Sequence, residues 1–324
     1  MTAIILLNWN GAEDTIDCLQ SLTSVPDDYF CIVADNGSED DSALRIEQFL
    51  GQQGIRHTVL KRGETLKERP VNHEVILYQI GENLGFAKGN NEAIRLISSV
   101  QPDYYLLLNN DTIVEPNFLH GMQEFAAAHP HVEAVTPLIC YNDNRNLVWN
   151  AGGKQFFGFR KYFYAKQPVQ SIKEKGHINV TFLTGCALFF SPQLLRKDGG
   201  LLTERFFFGE EDFEFCLQMN KQKKQMACVL TSNIYHKVSS SVANHYTTGK
   251  IYIYYLNRFV DMRLNHSPLF YALWSHVYSI YIIMLLHHKH YPFGQCFSFI
   301  KKLLKEASQK NGVSRHDFLE AIKA

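Results

Sequence analysis

The feature that most constrains the fold is an alternation of short apolar runs with amphipathic stretches over the first 140 residues. The runs at 3–8, 30–35 and 74–80 have the length and composition of buried strands. Stretches between them, such as TIDCLQSL at 15–22, carry apolar residues at helical spacing. Strand, helix, strand, helix in this order predicts a parallel sheet with crossover helices.

Polar side chains stand where each predicted strand ends. Asn8 and Asp35 end the first two strands, Asn83 follows the third, and Asn109-Asn110-Asp111 follows the run YYLLL. Because ligands of such sheets lie beyond the carboxyl ends of the strands, we expect these side chains to share one edge. Asp111 offers the carboxylate oxygen that a hard divalent cation prefers.

Each of these signals also has a purely structural interpretation. The NND sequence at 109–111 can simply turn the chain, and the residues after Asp35 can make a turn. Ser38 to Asp41 is typical of a capping box that starts a helix carrying Leu44 and Phe49.

The loop NLGFAKGNN at 83–91 precedes a predicted helix and can bind phosphate through backbone N–H groups. Lys88 adds a cation there, although a loop lysine is commonly just solvated. The loop matches neither the G-x-G-x-x-G fingerprint nor a Walker loop, which disfavours a Rossmann dehydrogenase.

After Pro116 the pattern changes to a helix, a strand and an aromatic, glycine-rich stretch at 151–166 that predicts a hairpin. The stretch FFFGEEDFEF at 206–215 enters a helix and places Glu210, Glu211 and Asp212 beside three phenylalanines. Such a cluster can supply a general base, or it can be an acidic helix N-terminus favoured by the helix dipole. His236 is expected just after the last strand, in a polar loop.

From about residue 246 the chain is expected to be helical, aromatic and basic. Residues 250–324 hold ten Lys or Arg against four Asp or Glu, an excess of six. Their most apolar part, 268–286, is near the ~20 residues that a membrane helix needs. We prefer a helix packed on the preceding domain. The alternatives are an interfacial helix that contacts an anionic membrane through 267–291 and, least favoured, a spanning helix.

Composition narrows the class of protein. The formal net charge is zero, so no nucleic-acid partner is expected. The seven cysteines are scattered in apolar contexts, which suits a reducing compartment better than a disulfide framework. The N-terminal stretch lacks the basic region of a signal peptide. We therefore expect a cytoplasmic protein. The alternative is a peripheral position at the inner face of the cell membrane.

The motifs occur in a specific order: LLNWNGAEDTIDCLQSL, VADNGSED, NLGFAKGNN, LLLNNDTIVEP, TGCALFFSPQLL, FFFGEEDFEFCLQM and YHKVSSS. Over roughly residues 2–265 this order resembles family-2 glycosyltransferases of the GT-A fold, most closely the rhamnosyltransferase-like branch that builds bacterial surface polysaccharides. The resemblance implies an α/β fold with a Rossmann-like mixed sheet flanked by helices and a C-terminal helical extension.

The resemblance also implies roles for individual residues. Asp212 would be the catalytic base with Glu211 beside it, and Asp111 with His236 would hold Mg²⁺ or Mn²⁺. Only the last acid of the D-x-D pattern is present, which should weaken metal binding or make it depend on the donor. The residues implied to bind the nucleotide sugar are Asn8, Asn10, Asp35, Asn83, Gly85, Lys88, Asn90, Asn109 and Asn110.

The implied function is inverting transfer of a sugar from a nucleotide-diphosphate donor, dTDP-rhamnose or a UDP-hexose. The implied acceptor is a hydroxyl of a saccharide or lipid-linked saccharide in a growing bacterial surface polysaccharide or glycolipid. A non-catalytic nucleotide-sugar-binding protein is the alternative. A sugar nucleotidyltransferase is less favoured, because NWNGAEDT after the first strand lacks Lys and Arg.

Two domains are expected. Residues 1–245 would form the GT-A domain, divided into a nucleotide-binding half at 1–115 and an acceptor half at 116–245. Residues 246–324 would form the helical, basic extension. The charged segment at 52–80 has no assigned role.

Overall fold

The computed structural model describes residues 1–238 and 248–323. Its strands are β1 (Thr2–Asn8), β2 (Tyr29–Asp35), β3 (His57–Lys61), β4 (Val75–Gln79), β5 (Tyr104–Asn109), β6 (Thr112–Val114), β7 (Val132–Tyr141), β8 (Val148–Asn150), β9 (Gly153–Phe156), β10 (Phe159–Tyr162), β11 (His177–Val180), β12 (Ala187–Phe190) and β13 (Gln225–His236). Its α-helices are α1 (Ala12–Leu22), α2 (Ser42–Gln52), α3 (Phe86–Leu96), α4 (Phe118–Ala128), α5 (Glu211–Lys221), α6 (Thr248–Asn265), α7 (Pro268–His288), α8 (Phe293–Gln309) and α9 (Arg315–Lys323).

One large mixed sheet organises the described part of the chain. Its main order is β11-β13-β7-β12-β5-β1-β2-β4-β3, with β6 paired to β13 and β8 to β7. Strands β5, β1, β2, β4 and β3 run parallel to one another, as the alternating pattern predicts. Strand β12 runs antiparallel between β5 and β7, which makes the sheet mixed. The expected mixed sheet flanked by helices is confirmed.

The central parallel strands β1 and β2 are buried along nearly their whole length, which explains their continuous apolar sequences. All seven residues of β2 are buried, and in β1 only Leu7 is partly exposed. Strands covered on both faces need apolar side chains at every position instead of alternate ones. Helices cover them with residues such as Ile46, Leu50 and Phe118, which are fully buried in the same core.

All seven cysteines are buried and unpaired, in agreement with the sequence prediction. Burial raises the pKa of the Cys18 thiol to about 12 and that of Cys140 to about 11. These side chains therefore behave as small apolar core residues.

The predicted capping box at the start of α2 is wrong. The helix begins at Ser42 with Asp41 as its N-cap, and the Asp41 side chain makes no capping hydrogen bond, while Asp40 Oδ1 accepts from the Ser42 N–H at 3.0 Å. Ser38 is instead turned back toward Asp35, whose carboxylate it contacts. Leu44 lies on the solvent side of α2 and is largely exposed.

The last strand is longer than the sequence pattern predicts. It continues through a shift in register between Val229 and Asn233 and pairs with both β7 and β6 as far as His236. The bulge accounts for the difference, because it interrupts the period-two pattern by which a strand is recognised. His236 is thus the final residue of a strand and not part of a loop.

The chain divides into two compact units. Within the described residues the first comprises 1–155, 160–203 and 211–238, and the second comprises 156–159, 204–210 and 248–323. The predicted domain boundary between residues 245 and 246 lies outside the described residues, as do Ser239 to Ser241 of the YHKVSSS motif. The division of the first domain at residue 115 stays a prediction.

The second unit is built mainly from helices α6 to α9. Helix α6 packs against α8 and α9, and α7 packs against α8. Among the described helices, α7 alone is long and apolar enough to cross a membrane by length and composition, and 33% of its apolar window is buried. A core helix passes the same test, so this observation alone assigns no location.

The segment at 52–80 forms β3 and the connection to β4. Strand β3 is the edge of the parallel block. A hollow of about 600 Å³ lies against it, lined by residues such as Arg56, Thr58, Lys67 and Glu74.

Candidate active site

The predicted site residues all belong to the first unit. Asn8 is the register partner of Asp35 on β2, and Leu7 is the register partner of Asn109 on β5. Because β1 lies between these two strands, their carboxyl ends bring Asn8, Asp35 and Asn109 to one edge. This is the edge at which an α/β sheet binds its ligand.

Asn8 and Asp35 form a buried pair. The Asn8 amide donates to Asp35 Oδ1 at 2.8 Å, and Ser38 donates to the same carboxylate through its hydroxyl and its backbone N–H. Asn10 follows with a left-handed backbone (φ 50°), a conformation that asparagine tolerates. The Asn10 N–H donates to Ser38 Oγ at 3.0 Å, so all three predicted residues meet around Ser38.

Thr15, in the first turns of α1, connects two predicted residues from different strands. Its hydroxyl donates to Asn8 Oδ1 at 2.8 Å, and it accepts a hydrogen bond from the Asn110 amide at 2.9 Å. Thr15 is fully buried. It therefore fixes the end of β1 against the turn that follows β5.

Trp9 stands between Asn8 and Asn10 with 51% of its surface exposed. An indole at the end of a central strand, beside buried polar groups, offers a flat apolar surface to a planar ligand. The sequence analysis did not select this residue.

Asn36 holds the loop that enters α3. Its amide donates to Asn83 Oδ1 at 3.2 Å and to the Gly85 carbonyl at 3.3 Å, and it accepts from the Leu84 N–H at 3.0 Å. Gly85 precedes the helix with φ 82°, a left-handed conformation that favours glycine. Asn83 and Gly85 are thus placed against the end of β2.

Two other residues of this loop lie on α3 itself. Lys88 is half-buried in the first turn. The Asn90 amide is buried and donates to the Phe86 carbonyl of the preceding turn at 2.9 Å. Asn90 therefore has a structural contact in addition to any ligand contact.

Asp111 and His236 meet because β6 pairs antiparallel with β13. The register places His236 opposite Thr112, and the His236 Nε2 atom lies 3.1 Å from both carboxylate oxygens of Asp111. The Trp149 ring packs edge-on to the imidazole at a centroid distance of 4.5 Å. Within residues 1–238 and 248–323, His236 Nδ1 is buried without a hydrogen-bond partner.

Asp111 and His236 could together supply only two ligands to a metal ion. Among the residues that the structure describes, no group of three or more His, Cys, Asp or Glu side chains could hold a metal ion. Mg²⁺ commonly uses one or two carboxylates and takes its other ligands from phosphate and water. One carboxylate and one imidazole therefore fit a cation that a bound diphosphate would share, and they do not form a closed structural site.

Asp212 lies in the first turn of α5 and contacts Arg160 on β10. The Arg160 Nη1 atom is 3.2 Å from Asp212 Oδ1 and 3.4 Å from Oδ2, with side-chain exposures of 29% for Arg160 and 17% for Asp212. The guanidinium also lies over the ring of Phe182, 5.4 Å from its centroid. Glu211 precedes Asp212 and is half-buried.

Helix α5 is anchored through Gln155 and Asn220. The Gln155 amide donates to the Phe213 carbonyl at 3.0 Å. Asn220 donates to Gln155 Oε1 at 3.1 Å and to the Thr181 carbonyl at 2.8 Å. These contacts hold the start of α5, and with it Asp212, against the base of the β9–β10 hairpin.

The turn before β12 connects Asp212 with the strand-end residues. A methyl group placed on Gly185 would lie 3.8 Å from Asp212 Cβ and 3.5 Å from Phe86 at the start of α3. The next residue, Cys186, accepts a hydrogen bond from the Asn109 N–H at 2.8 Å. Asp212 therefore lies beside the start of α3 and the end of β5.

Several residues of this site were missed by the sequence analysis: Thr15, Asn36, Arg160 and Lys237. The Lys237 ammonium contacts Asp14 at 2.8 Å and Asp17 at 2.7 Å, and thereby ties the end of β13 to α1. Arg160 was detectable only as a basic residue inside an aromatic run. Thr15 and Asn36 are ordinary polar residues, and each has a hydrogen-bond partner far away in sequence.

The model of the glycosyl transferase family 2 matches residues 3–198, which include the ends of β1, β2 and β5. The chain belongs to this family. It is a glycosyltransferase with a GT-A fold and additional C-terminal helices, as expected. A search of curated protein sequences found no match.

Solved structures of other glycosyltransferases have the same fold at low sequence identity. The mannosyltransferase PcManGT from Pyrobaculum calidifontis, in complex with GDP-Man and Mn²⁺, has a TM-score of 0.54 at 12% identity, over 96% of this chain and 86% of that one. Residues 1–349 of S. aureus TarS have a TM-score of 0.50 at 12% identity, over 85% of this chain and 68% of the TarS chain. GalNAc-T7 with UDP, GalNAc and Mn²⁺ gives 0.51 and 12%, over 73% of this chain but 43% of GalNAc-T7.

Proposed function

We propose that this glycosyltransferase moves a sugar from a nucleoside-diphosphate donor to an acceptor hydroxyl in one displacement, with inversion at the anomeric carbon. The nucleotide would lie along the edge formed by β1, β2 and β5, and the acceptor would enter beside Asp212. The observation that carries the proposal is the position of Gly185 and Cys186, which places Asp212 next to the strand ends.

The nucleoside would be bound by Asp35, Asn10 and Trp9. Asn8 and Ser38 fix the position of the Asp35 carboxylate, which could accept a further hydrogen bond from a base or a ribose. Trp9 can stack on the base, because an exposed indole provides a flat apolar face. The loop at 83–85 and Lys88 would lie beneath the diphosphate, where a helix N-terminus and a cation favour negative charge.

The diphosphate would be shared between the chain and a divalent cation, Mg²⁺ or Mn²⁺, held by Asp111 and His236. When bound there, the cation supplies positive charge that stabilises the departing diphosphate. Trp149 and the β6–β13 pairing keep the His236 imidazole oriented toward Asp111. Both PcManGT and GalNAc-T7 bind Mn²⁺ in their solved complexes, which supports this part of the proposal.

Asp212 would act as the general base. The acceptor oxygen forms a bond to the anomeric carbon while its proton passes to the Asp212 carboxylate. The bond between that carbon and the diphosphate oxygen breaks, and its electron pair leaves with the diphosphate. General-base catalysis of this kind typically contributes ~10²–10⁴-fold to the rate. Arg160 holds the carboxylate in place, and the half-buried Glu211 precedes it in the chain.

We propose dTDP-rhamnose or a UDP-hexose as the donor and a saccharide or lipid-linked saccharide of a bacterial surface polysaccharide or glycolipid as the acceptor. This part rests on the order of the motifs, and the rhamnosyltransferase-like branch stays a prediction. The neighbours with solved complexes bind UDP with GalNAc and GDP-Man, so the fold alone accommodates different donors.

A donor panel tests the proposal. Purified protein is incubated with dTDP-rhamnose, UDP-hexoses and GDP-mannose, with Mn²⁺ and without acceptor, and the released nucleoside diphosphate is measured. A glycosyltransferase slowly hydrolyses its own donor, and the same donor raises Tm because ligand binding stabilises the folded state. A rise in Tm without any release of nucleoside diphosphate would instead indicate a non-catalytic nucleotide-sugar-binding protein.

A further inference from the structure

The second unit has exposed apolar side chains on two helices that pack against each other, α7 and α8. On α7, Leu269 is 84% exposed and Met284 is 67% exposed, and Leu273 and Ile280 between them are also largely exposed. Phe297 on α8 is 60% exposed. We call the exposed side chains Leu269, Leu273, Val277, Ile280, Met284, Phe293 and Phe297 the α7–α8 apolar face.

The spacing of these residues places them on one side of the helices. The exposed residues of α7 follow one another at intervals of four, four, three and four positions, which is one face of an α-helix. The opposite face is buried: Trp274, Tyr278 and Ile282 pack inward, and the Trp274 ring stacks on that of Tyr278 at a centroid distance of 4.7 Å. The Trp274 indole N–H donates to the Phe157 carbonyl at 3.1 Å.

The charges around the apolar face have one predominant sign. Residues 268–309 contain four lysines and four histidines, and their only acidic residue is Glu306. Lys301 and Lys305 are exposed and follow Phe297 at helical spacing, so they lie on the same side of α8 as that ring. Lys302 does not belong to this group, because its ammonium lies over the Tyr252 ring, 4.7 Å from the centroid.

We propose that the α7–α8 apolar face docks on an anionic lipid surface, with α7 lying in the plane of the interface. A helix that binds in this way places Leu, Ile and Phe among the acyl chains and its lysines at the headgroups. The exposed apolar side chains match the acyl chains of a bilayer, and the lysines beside them match its anionic headgroups.

Two other occupants fit the structure less well. A second copy would bring the same lysines face to face, since a two-fold contact pairs each surface with itself. A spanning orientation of α7 would withdraw Trp274 and Tyr278 from the helix core, and it would place Ser275 and Ser279, now buried, in lipid. The bound surface therefore includes α8 as well as the segment at 267–291 that the sequence indicates.

Vesicle sedimentation with the full-length protein tests the proposal. We expect the protein to pellet with vesicles of phosphatidylcholine and phosphatidylglycerol, to remain largely in solution with phosphatidylcholine alone, and to dissociate as salt is raised. Leu273→Glu combined with Ile280→Glu should weaken binding by about tenfold or more. Leu44→Glu, at an exposed leucine on α2, is the matched control and should bind like the wild type.

The lysines are tested separately. Lys301→Glu with Lys305→Glu should weaken binding to the anionic vesicles by about thirtyfold or more, since two cations near the headgroups are lost and two anions replace them. Lys173→Glu with Lys175→Glu, an exposed pair in the first unit, is the control. All of these positions are exposed, so Tm of every variant should stay near that of the wild type.

Three results would overturn the proposal. Equal binding of the wild type and the Leu273/Ile280 variant would exclude the apolar face. Retention of the protein in vesicles after alkaline carbonate extraction would show that α7 spans the bilayer. A dimer in light scattering that the same variant abolishes, without vesicle binding, would identify a second copy as the occupant. None of these readouts depends on glycosyl transfer.

Discussion

The guanidinium of Arg160 lies 3.2 Å from Oδ1 and 3.4 Å from Oδ2 of Asp212. Asp212 comes from the start of α5 and Arg160 from the β9–β10 hairpin, 52 positions earlier in the chain. The contact gives the carboxylate a defined orientation next to the turn at Gly185. It also places a positive charge beside the carboxylate that we propose as the general base.

Replacing the Asp212 carboxylate should stop sugar transfer but leave donor binding nearly unchanged. In Asp212→Asn the amide has nearly the same shape but cannot take the acceptor proton, so we expect kcat to fall by ~10²–10⁴-fold. Titration with the nucleotide sugar should give a Kd within about threefold of the wild type. Asp143→Asn, at an exposed carboxylate in the same unit, is the control. A large loss of donor affinity in Asp212→Asn would move this residue out of the base role.

Arg160 should act as a positioning residue for Asp212. We expect Arg160→Ala to lower kcat by about tenfold or more while KM for the donor changes little, because the lost contact is to the base and not to the nucleotide. Arg160→Lys should recover part of kcat, since it restores a cation without the planar fork. Lys161→Ala, at the exposed neighbouring position on β10, should resemble the wild type. Equal loss in the Ala and Lys variants together with a lowered Tm would indicate a structural role instead.

Metal binding should depend on Asp111 and His236. Chelation with EDTA should suppress transfer, and Mn²⁺ or Mg²⁺ should restore it. Titration of Mn²⁺ by electron paramagnetic resonance, with nucleoside diphosphate present, should show affinity reduced by about tenfold or more in Asp111→Asn and in His236→Ala. His120→Ala, at an exposed histidine on α4, is the control. Full activity in chelator, or unchanged Mn²⁺ affinity in both variants, would contradict the assignment.

Thr15 should stabilise the fold through the two asparagines that it joins. Thr15→Val keeps the shape but leaves Asn8 Oδ1 without this donor and Asn110 without this acceptor in a buried place. We expect the free energy of unfolding to fall by about 1–3 kcal/mol in urea titrations. Thr23→Val, at an exposed threonine just after α1, should change it by less than about 0.5 kcal/mol. Similar values for the two variants would show that the buried hydroxyl contributes little.

The second unit contains a fully buried ion pair between Arg258 and Glu210, each with 1% of its side chain exposed. Arg258 also donates to the Gly158 carbonyl. Arg258→Met leaves a buried carboxylate without its cation, so we expect a loss of about 3–5 kcal/mol in unfolding free energy. The double variant Arg258→Met, Glu210→Gln should recover part of this loss. Arg315→Met, at an exposed arginine on α9, is the control. If Arg258→Met lowered the unfolding free energy by no more than Arg315→Met does, the expectation would be refuted.

The sequence alone determined the parallel half of the fold and the sheet edge that carries the candidate site. Apolar runs that end in Asn8, Asp35 and Asn109 are local signals, because a buried strand needs apolar residues throughout and a parallel sheet aligns the carboxyl ends of its strands. The family resemblance added the roles of Asp111 and Asp212.

Only the tertiary structure decided which side chains touch. The antiparallel pairing of β6 with β13 brings His236 to Asp111 across 125 positions, and the hairpin brings Arg160 to Asp212. Contacts between such distant positions depend on strand order and register, and neither leaves a periodic mark in the local sequence. Ser38 illustrates the difference: its local pattern fits a helix cap, yet burial of the Asp35 carboxylate makes its hydrogen bond to that group the more favourable use of the hydroxyl.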